Sequence, residues 1–236
     1  VALIVPWNYP QNMAAWKLGP ALAAGNTMIL KPASWTPLSA IRLGEFALEA
    51  GFPAGVVNVV TGPGGSAGAA LAAHSGIGKV AFTGETATGQ EIMRLAAGNV
   101  KKVSLELGGK SPNIVFADAD IAQAAATAPY SVFDNAGQDC CARSRILVQR
   151  SIYDYFMEMF ESAVKSVRVS DPRDEASEMG PLISAEHKAR VAAYLSDDAE
   201  VAFRGSAPDG PGHWFAPTVV TPKDHRSPVF RDEVFG

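Results

Sequence analysis

Short apolar, β-branched runs alternate along the chain with Ala- and Leu-rich stretches whose apolar positions recur at helical spacing. That alternation is typical of strand–helix–strand units in which helices pack on a parallel sheet. In the first half we therefore predict an α/β domain, with strands at residues 1–5, 27–30, 56–60, 80–82 and 103–107 and helices at 37–49, 67–74 and 86–97.

The same pattern restarts after Gly108-Gly109, which makes this glycine pair the predicted boundary between two doubly wound α/β domains. Beyond it we predict a strand at 113–116, a helix at 120–133, a strand at 145–148 and a helix that reaches about residue 167.

Two helix starts carry capping signals. Thr36, just before Pro37, is the predicted N-cap of the helix at 37–49. Ser151, with Asp154 following it in the first turn, is the predicted N-cap of the helix that reaches about residue 167.

The composition indicates a globular protein, since 47% of the 236 residues are hydrophobic and only 19% are charged. The net charge of −4 gives no reason to expect nucleic acid as a partner, and no apolar run approaches the roughly 20 residues that cross a bilayer. The chain begins without Met inside a predicted strand and stops at residue 236 without a closing element. We therefore interpret it as an internal piece of a longer protein, with both domains incomplete.

The two cysteines, Cys140 and Cys141, are neighbours in the sequence and so predict no disulfide framework. Their presence as thiols favours a reducing compartment, most simply the cytoplasm. The four histidines are scattered without the spacing of metal ligands, and we predict no metal site.

Two glycine-rich turns between strand and helix are candidate phosphate sites, because a helix N-terminus presents free N–H groups and a partial positive charge. One contains Gly62, Gly64 and Gly65, and the other is the segment 82–85 (FTGE). Neither has the Gly-x-Gly-x-x-Gly spacing of the common dinucleotide fingerprint. Glu85 also has a simpler interpretation, since a carboxylate in the first turn of a helix stabilises the helix dipole by itself.

Lys31 and Asn8 each follow a predicted strand, at the carboxyl edge where open α/β sheets bind ligands. Lys31 either donates to a ribose hydroxyl or is a solvated lysine at the end of a strand. Asn8 either donates its amide to a developing oxyanion or is an ordinary turn residue between prolines.

Glu106 and Cys140 are the candidate catalytic pair. Glu106 stands between two leucines near the end of a strand, where it either points outward by strand alternation or acts as a partly desolvated base. Cys140 follows a polar run, residues 135–139 (NAGQD), that is poor core material. Buried inert cysteines are common, but a thiol and a separate carboxylate on this scaffold suggest covalent catalysis on a carbonyl carbon.

Together these motifs resemble the ordered motif set of the aldehyde dehydrogenase superfamily over essentially the whole chain. The resemblance covers, in chain order, the family's oxyanion, adenosine-ribose, pyrophosphate, general-base, nucleophile and nicotinamide-ribose motifs. The matching segments are residues 6–10 (PWNYP), 31–34 (KPAS), 82–85 (FTGE), 105–110 (LELGGK), 135–140 (NAGQDC) and 233–236 (EVFG).

The resemblance implies a role for each matching position. Cys140 would be the nucleophile, Asn8 and the Cys140 backbone N–H would hold the oxyanion, and Glu106 would activate water to hydrolyse a thioester. NAD or NADP would be the cofactor, with contacts from Trp7, Lys31, Ser34, Gly64, Gly84, Glu85 and Glu233.

The resemblance also gives each half of the chain an identity. Residues 1–108 would be the C-terminal portion of a Rossmann-like dinucleotide-binding domain, and residues 109–236 the N-terminal portion of a catalytic thiol domain. The full-length protein would be an oxidoreductase that acts as a homo-oligomer and converts an aldehyde, of a kind the sequence does not indicate, to a carboxylic acid.

Two departures from the family pattern leave details open. Members that are strict for NAD often carry Glu where Ser34 stands, so the choice between NAD and NADP is undecided. Glu85 replaces a more frequent Ser, so hydrogen bonding at this turn must come from the backbone, or the side chain must turn away.

Two alternative functions remain at this level. A CoA-acylating semialdehyde dehydrogenase would share the chemistry, but its relatives usually lack the carboxylate that Glu106 supplies. A non-enzymatic dinucleotide-binding or structural relative is disfavoured by the presence of Asn8, Glu106 and Cys140 together.

Overall fold

A computed structural model describes residues 1–195 and 199–236 of the chain. It divides into two compact units, Val1–Gly108 and Gly109–Gly236. Both contain parallel strands connected through helices, so the predicted α/β fold class is confirmed. Within the described residues, every helix is too short or too polar to traverse a bilayer.

The first unit is built on a five-stranded parallel sheet with the order β3-β2-β1-β4-β5. Its strands are β1 (Ala2–Ile4), β2 (Met28–Lys31), β3 (Val57–Val59), β4 (Lys79–Gly84) and β5 (Lys102–Leu107). Along the chain the first three strands extend the sheet in one direction, and the last two extend it in the other. The order therefore reverses between β1 and β4, the position where open α/β sheets form a ligand crevice.

Helices cover both faces of this sheet. Side chains alternate between faces along a strand, so Leu3 points to one face and Ile4 to the other. The first face packs on α1 (Pro10–Ala23) and α2 (Leu38–Glu49), and the second on α3 (Ala69–Ala73) and α4 (Thr86–Ala96). Each face has its own apolar core, which makes the sheet doubly wound.

The second unit has a shorter parallel pair, β6 (Pro112–Val115) and β7 (Arg145–Val148), connected through two helices. Its remaining elements are α5 (Ile121–Thr127), α6 (Tyr130–Phe133), α7 (Tyr153–Ser166), α8 (Ala185–Ala192), α9 (Pro228–Arg231) and an antiparallel pair of β8 (Ala199–Arg204) and β9 (Thr218–Pro222). The fully buried Phe156 and Val164 of α7 pack in a core with residues of β6, α5 and β8. This core holds the parallel pair in place.

The strands of the first unit match the sequence predictions to within a few residues, because each is a compact apolar run between turn signals. The pattern of apolar residues predicted no element at α1, α8, α9, β8 or β9. In α1, Gly19 and Pro20 interrupt the helical pattern, yet the helix continues through both. Packing of the buried Ala14 and Leu18 on the sheet outweighs the poor propensity of those two residues.

Three local predictions were wrong. The predicted helix 120–133 is two helices, α5 and α6, because Pro129 has no N–H to continue the first. Pro37, and not Thr36, occupies the N-cap of α2, while the Thr36 hydroxyl is buried without a hydrogen bond inside the described residues. Ser151 lies in a short turn before α7, where its hydroxyl accepts a hydrogen bond from Gln149 and caps nothing.

Candidate active site

The first unit brings most of the predicted cofactor residues to one edge of its sheet. Lys31 ends β2, Trp7 and Asn8 follow β1, and Gly84 ends β4. These are all carboxyl ends of parallel strands, so they lie along the same edge. The reversal of strand order between β1 and β4 falls between Asn8 and Gly84. The topology alone therefore assembles a candidate ligand site.

Trp7 and Asn8 lie in the half-buried turn between β1 and α1. Pro10 occupies the first position of α1, and the Tyr9 carbonyl accepts a hydrogen bond from the Met13 N–H, which starts the helix. The turn is short because Pro10 sets the helix start, and this keeps Asn8 close to the end of β1.

Lys31 is only 3% exposed, which excludes the solvated lysine considered from the sequence. Its Nζ donates a hydrogen bond of 2.8 Å to the carbonyl of Pro32, and burial lowers the pKa of the ammonium. Its stem runs beside Gly68, where a Cβ would lie 3.7 Å from the Lys31 Cδ. The cation is thus held at the edge of the sheet by its packed stem.

Ser34 connects the turn after β2 to the glycine-rich turn after β3. Its hydroxyl donates to the Gly62 carbonyl over 3.2 Å, and its side chain is otherwise exposed. Gly64 follows in the same turn and begins a single π-helical turn, Gly64–Gly68, that leads into α3. The turn that carries Ser34 and the glycine-rich turn that carries Gly64 are therefore neighbours, as a site for one ribose and its phosphates would need.

Gly84 and Glu85 form the other glycine-containing turn. A Cβ on Gly84 would lie 2.5 Å from the Phe82 ring, so only glycine fits without moving that buried side chain. Glu85 is the extended N-cap residue of α4 and precedes the first turn in which the sequence placed it. Its exposed side chain makes no capping hydrogen bond, so the backbone presents the helix N-terminus.

Glu106 lies on the exposed face of β5, while Leu105 and Leu107 point into the core. Strand alternation thus accounts for its orientation, as one of the two sequence interpretations predicted. Burial lowers the pKa of the Lys17 ammonium on α1, and the negative charge of Glu106 partly opposes this shift. Directly opposite on β4 is Thr83, a buried residue whose hydroxyl has no hydrogen bond inside the described residues.

Cys140 belongs to the second unit, at the end of a loop with unusual backbone geometry. Asn135, Ala136 and Gly137 have φ angles of 50°, 57° and 74°, so three consecutive residues are left-handed. For Asn and still more for Ala this conformation is strained. A Cβ on Gly137 would lie 2.7 Å from the Gly236 backbone, so glycine is required by space as well as by φ.

Gln138 holds this loop in its strained form. It is 4% exposed, its Nε2 donates to the Asn135 carbonyl over 3.0 Å, and its Oε1 accepts from the Ile183 N–H over 2.9 Å. The Asn135 amide in turn donates to the Gln138 carbonyl. These contacts tie the loop to a segment more than forty residues further along the chain, which is how the strain is retained.

The Cys140 thiol is half-buried, and its Sγ lies 3.9 Å from that of the exposed Cys141. Burial first, then the hydrogen bond and charge of Cys141 and the charge of Asp139, raise the pKa of Cys140 to about 12. Its own backbone N–H acts in the opposite direction, because it points toward the sulfur. The resting side chain is therefore a thiol, and a nucleophilic role requires proton removal as substrate binds.

The carboxylate of Asp139 and the two sulfurs also lie within 4.8 Å of one another, the one such group of three possible metal ligands in the described residues. Structural zinc sites use four ligands, so this group is one short, and its atoms are explained by their hydrogen bonds within the loop.

Glu233 lies in an irregular segment that follows α9. Lys110, half-buried nearby, has its pKa lowered to about 8, by burial first and by the Arg145 charge, against the opposing charges of Asp232 and Glu233. Arg145 also donates to the Lys110 carbonyl.

Two buried polar residues that shape these loops, Gln138 and His187, were not predicted from the sequence. Gln138 lies inside the recognised nucleophile motif, but no structural role was predicted for it. His187 follows Ser184, whose hydroxyl accepts from the His187 N–H and caps α8. A Ser followed by an acidic residue in the next turn, here Ser184 and Glu186, is a helix-start signal, and it could have located this helix.

Comparisons with known proteins give a consistent result. The family model described as "Aldehyde dehydrogenase family" matches residues 1–236. An aldehyde dehydrogenase from Emericella nidulans is 47% identical over 99% of this chain. A crystal structure of betaine aldehyde dehydrogenase from Staphylococcus aureus in complex with NAD+ superposes with a TM-score of 0.95 at 42% identity over 100% of the chain.

A further crystal structure, from Burkholderia cenocepacia and provisionally assigned as an aldehyde dehydrogenase, has a TM-score of 0.96 at 48% identity and also covers 100% of the chain. The chain spans about half the length of these relatives: 48% of the Emericella protein, 48% of the Staphylococcus chain and 50% of the Burkholderia chain.

Proposed function

The chain belongs to the aldehyde dehydrogenase family, and on that premise we propose that the full-length protein oxidises an aldehyde to a carboxylic acid with NAD or NADP. One observation carries the proposal: Trp7, Asn8, Lys31 and Gly84 lie along the carboxyl edge of one parallel sheet, on both sides of its reversal of strand order. Such an edge is where open α/β sheets bind nucleotide cofactors.

The residues at this edge fit a dinucleotide. A buried ammonium at Lys31 and a hydroxyl at Ser34 suit the hydroxyls of a ribose. The open space beside Gly64 lets the backbone approach a phosphate, and Gly84 precedes the N-terminus of α4, where a second phosphate could bind. The exposed Glu85 side chain makes no capping hydrogen bond to its own helix, so it does not occupy the N–H groups of that N-terminus. We assign Glu233, in the second unit, to the other ribose.

We propose that Cys140 begins the reaction: its proton passes to water, and Sγ forms a bond to the aldehyde carbon while the carbonyl π electrons move to oxygen. The carbonyl oxygen becomes an oxyanion, and we assign the Asn8 side-chain amide and the Cys140 backbone N–H as its donors. A donor aimed at such a developing charge typically lowers the activation barrier by about 3 kcal/mol. This step leaves a thiohemiacetal on Cys140.

The bound cofactor supplies the hydride acceptor for the oxidation of that thiohemiacetal to a thioester. We propose that Glu106 then takes a proton from water, which attacks the thioester carbon. The carbon–sulfur bond breaks, the carboxylic acid leaves, and Cys140 is regenerated. An exposed carboxylate on β5 is in keeping with this task, since it must contact water.

Two substitutions in the full-length protein test these assignments. Cys140→Ala should abolish aldehyde oxidation, whereas the neighbouring Cys141→Ala should retain it. Glu106→Gln should still form NADH in a burst that matches the enzyme concentration, followed by slow turnover, because acylation is intact and thioester release is not. Unchanged steady-state turnover in both Cys140→Ala and Glu106→Gln would refute the mechanism.

The proposal also covers the cellular location and the oligomeric state. The two free thiols are in keeping with a reducing compartment, which we propose to be the cytoplasm. We propose a homo-oligomer for the full-length protein, which light scattering can test.

A CoA-acylating enzyme is the alternative function, and it predicts that CoA accelerates product release. Glu106 argues against this alternative, because a CoA-acylating enzyme has no need of a carboxylate that activates water.

A further inference from the structure

We infer that His187 is a positioning residue for the cofactor: it fixes the peptide at Phe235, and thereby the Glu233 carboxylate, in the form that holds a ribose. The inference rests on the proposed function for the role of Glu233, and on the geometry of the second unit for that of His187.

The segment that carries Glu233 has no regular structure to define its shape. It follows the end of α9 at Arg231, and Phe235 has a φ of 64°, a conformation that is strained for a bulky residue. Such a conformation persists only where surrounding contacts hold it. The contacts must therefore be sought outside the segment itself.

Helix α8 supplies them from two residues one turn apart. The His187 Nε2 lies 2.7 Å from the Phe235 carbonyl oxygen, and the His187 ring packs edge-on against the Phe235 ring. Val191 lies against Gly236, where a Cβ would come within 2.5 Å of the Val191 Cγ2. His187 and Val191 are the buried residues of α8, so the inner face of this helix is the support for the segment.

The partners of His187 define its tautomer. A backbone carbonyl can only accept, so Nε2 must carry the hydrogen that is donated to Phe235. The Arg190 guanidinium can only donate, and its Nη2 lies 3.0 Å from Nδ1, so Nδ1 must be the acceptor. Arg190 thus orients the ring with its N–H toward Phe235.

The same surroundings keep the ring neutral. Burial lowers the pKa of His187, as does the Arg190 charge, against the Phe235 carbonyl and the charge of Glu186. A protonated ring would direct a second N–H at the Arg190 guanidinium. The Nε2–H donor is therefore constant near neutral pH, which suits a structural support for a binding segment.

A matched pair of substitutions in the full-length protein separates the hydrogen bond from packing. His187→Gln keeps an N–H donor close to the position of Nε2, whereas His187→Met has a similar length and volume but no donor. The dissociation constants for NAD and NADH are measured by calorimetry without aldehyde. Loss of one hydrogen bond that organises the segment should weaken cofactor binding by about fivefold in His187→Met. His187→Gln should remain within about twofold of the unsubstituted protein.

Hydrolysis of p-nitrophenyl acetate provides the control, because thiol acylation by an activated ester followed by hydrolysis needs no cofactor. Its rate should be equal in the two variants, which shows that both are folded around Cys140. Equal cofactor affinities in His187→Met and His187→Gln would overturn the inference. An unsubstituted protein that binds cofactor but oxidises no aldehyde would instead overturn the proposed function and leave the positioning result intact.

Discussion

The two units place their functional residues in different ways. In the first unit, Asn8, Lys31 and Gly84 owe their positions to strand ends in a regular parallel sheet, and the topology determines the edge on which they lie. In the second unit, Cys140 and Glu233 lie in irregular loops whose conformation depends on the buried side chains Gln138 and His187. The comparison predicts that open positions of the binding edge, such as Gly64, tolerate substitution better than the strained loop does.

The largest effect is expected from Gly137→Ala in the nucleophile loop. The new methyl group would meet the Gly236 backbone at 2.7 Å, at a residue whose φ is 74°. Strain and the forced shift together should lower the free energy of unfolding of the full-length protein by about 3 kcal/mol, measured in urea. Gly64→Ala is the matched change at the binding edge, where a Cβ has nothing within 4 Å, and it should change stability by less than about 1 kcal/mol. Equal losses in the two variants would remove the distinction between loop and edge.

The next effect is expected from Gln138→Met. The substitution leaves the Ile183 N–H and the Asn135 carbonyl without their side-chain partner in a buried place, which should cost about 2 kcal/mol of stability. Gln123→Met makes the same chemical change on the exposed face of α5 and should be close to neutral. Thermal unfolding of both variants measures the difference. A Gln138→Met variant as stable as Gln123→Met would show that the left-handed turn holds itself.

The sequence predicted the strands of the first unit well because the information that defines them is local. The three strands predicted to end at Leu30, Val60 and Leu107 are apolar runs bounded by turn residues. Their existence follows from the periodicity, and their common edge follows from the parallel arrangement. The actual ends, at Lys31, Val59 and Leu107, differ by one residue at most.

The second unit was less predictable because its decisive contacts join residues that are distant in sequence. The local sequence does not predict that Ala136 is left-handed, since side chains other than Asn and Asp rarely adopt this conformation. The conformation is imposed by Gln138, which is itself held by Ile183. In the same way His187 contacts Phe235 across the chain. The sequence motifs identified Cys140 and Glu233 but not the buried side chains that support their loops. The catalytic role of Cys140 and the binding role of Glu233 remain predictions.

A change of cofactor preference is expected from Ser34→Glu at the tolerant edge. The added carboxylate would accept from a ribose hydroxyl but repel a 2′-phosphate, so affinity for NADP should fall about tenfold, or about 1.4 kcal/mol, relative to NAD. Ser162→Glu, on the exposed side of α7, adds the same charge elsewhere and should leave the ratio unchanged. Calorimetric titrations with both cofactors measure it. If Ser34→Glu unfolds the protein, the edge is less tolerant than its topology indicates.

The smallest effect concerns the acidity of the nucleophile itself. Burial is the largest cause that raises the pKa of Cys140, and the hydrogen bond and charge of Cys141 come next. Cys141→Ala removes those two causes and leaves burial in place, so the pKa of Cys140 should fall and its thiolate fraction should rise. Alkylation of Cys140 by iodoacetamide at pH 8.5, followed on its own peptide by mass spectrometry, should accelerate about threefold.

Cys141→Ser is the second variant, because its hydroxyl does not ionise in this range and can donate a hydrogen bond to the Cys140 thiolate. Its alkylation rate should therefore be at least as high as that of Cys141→Ala. A rate unaffected by either change would mean that burial and the Asp139 charge set the acidity of Cys140. The strained loop would then control the nucleophile by the depth at which it holds the sulfur and by the carboxylate beside it, and the Cys141 thiol would not contribute to that acidity.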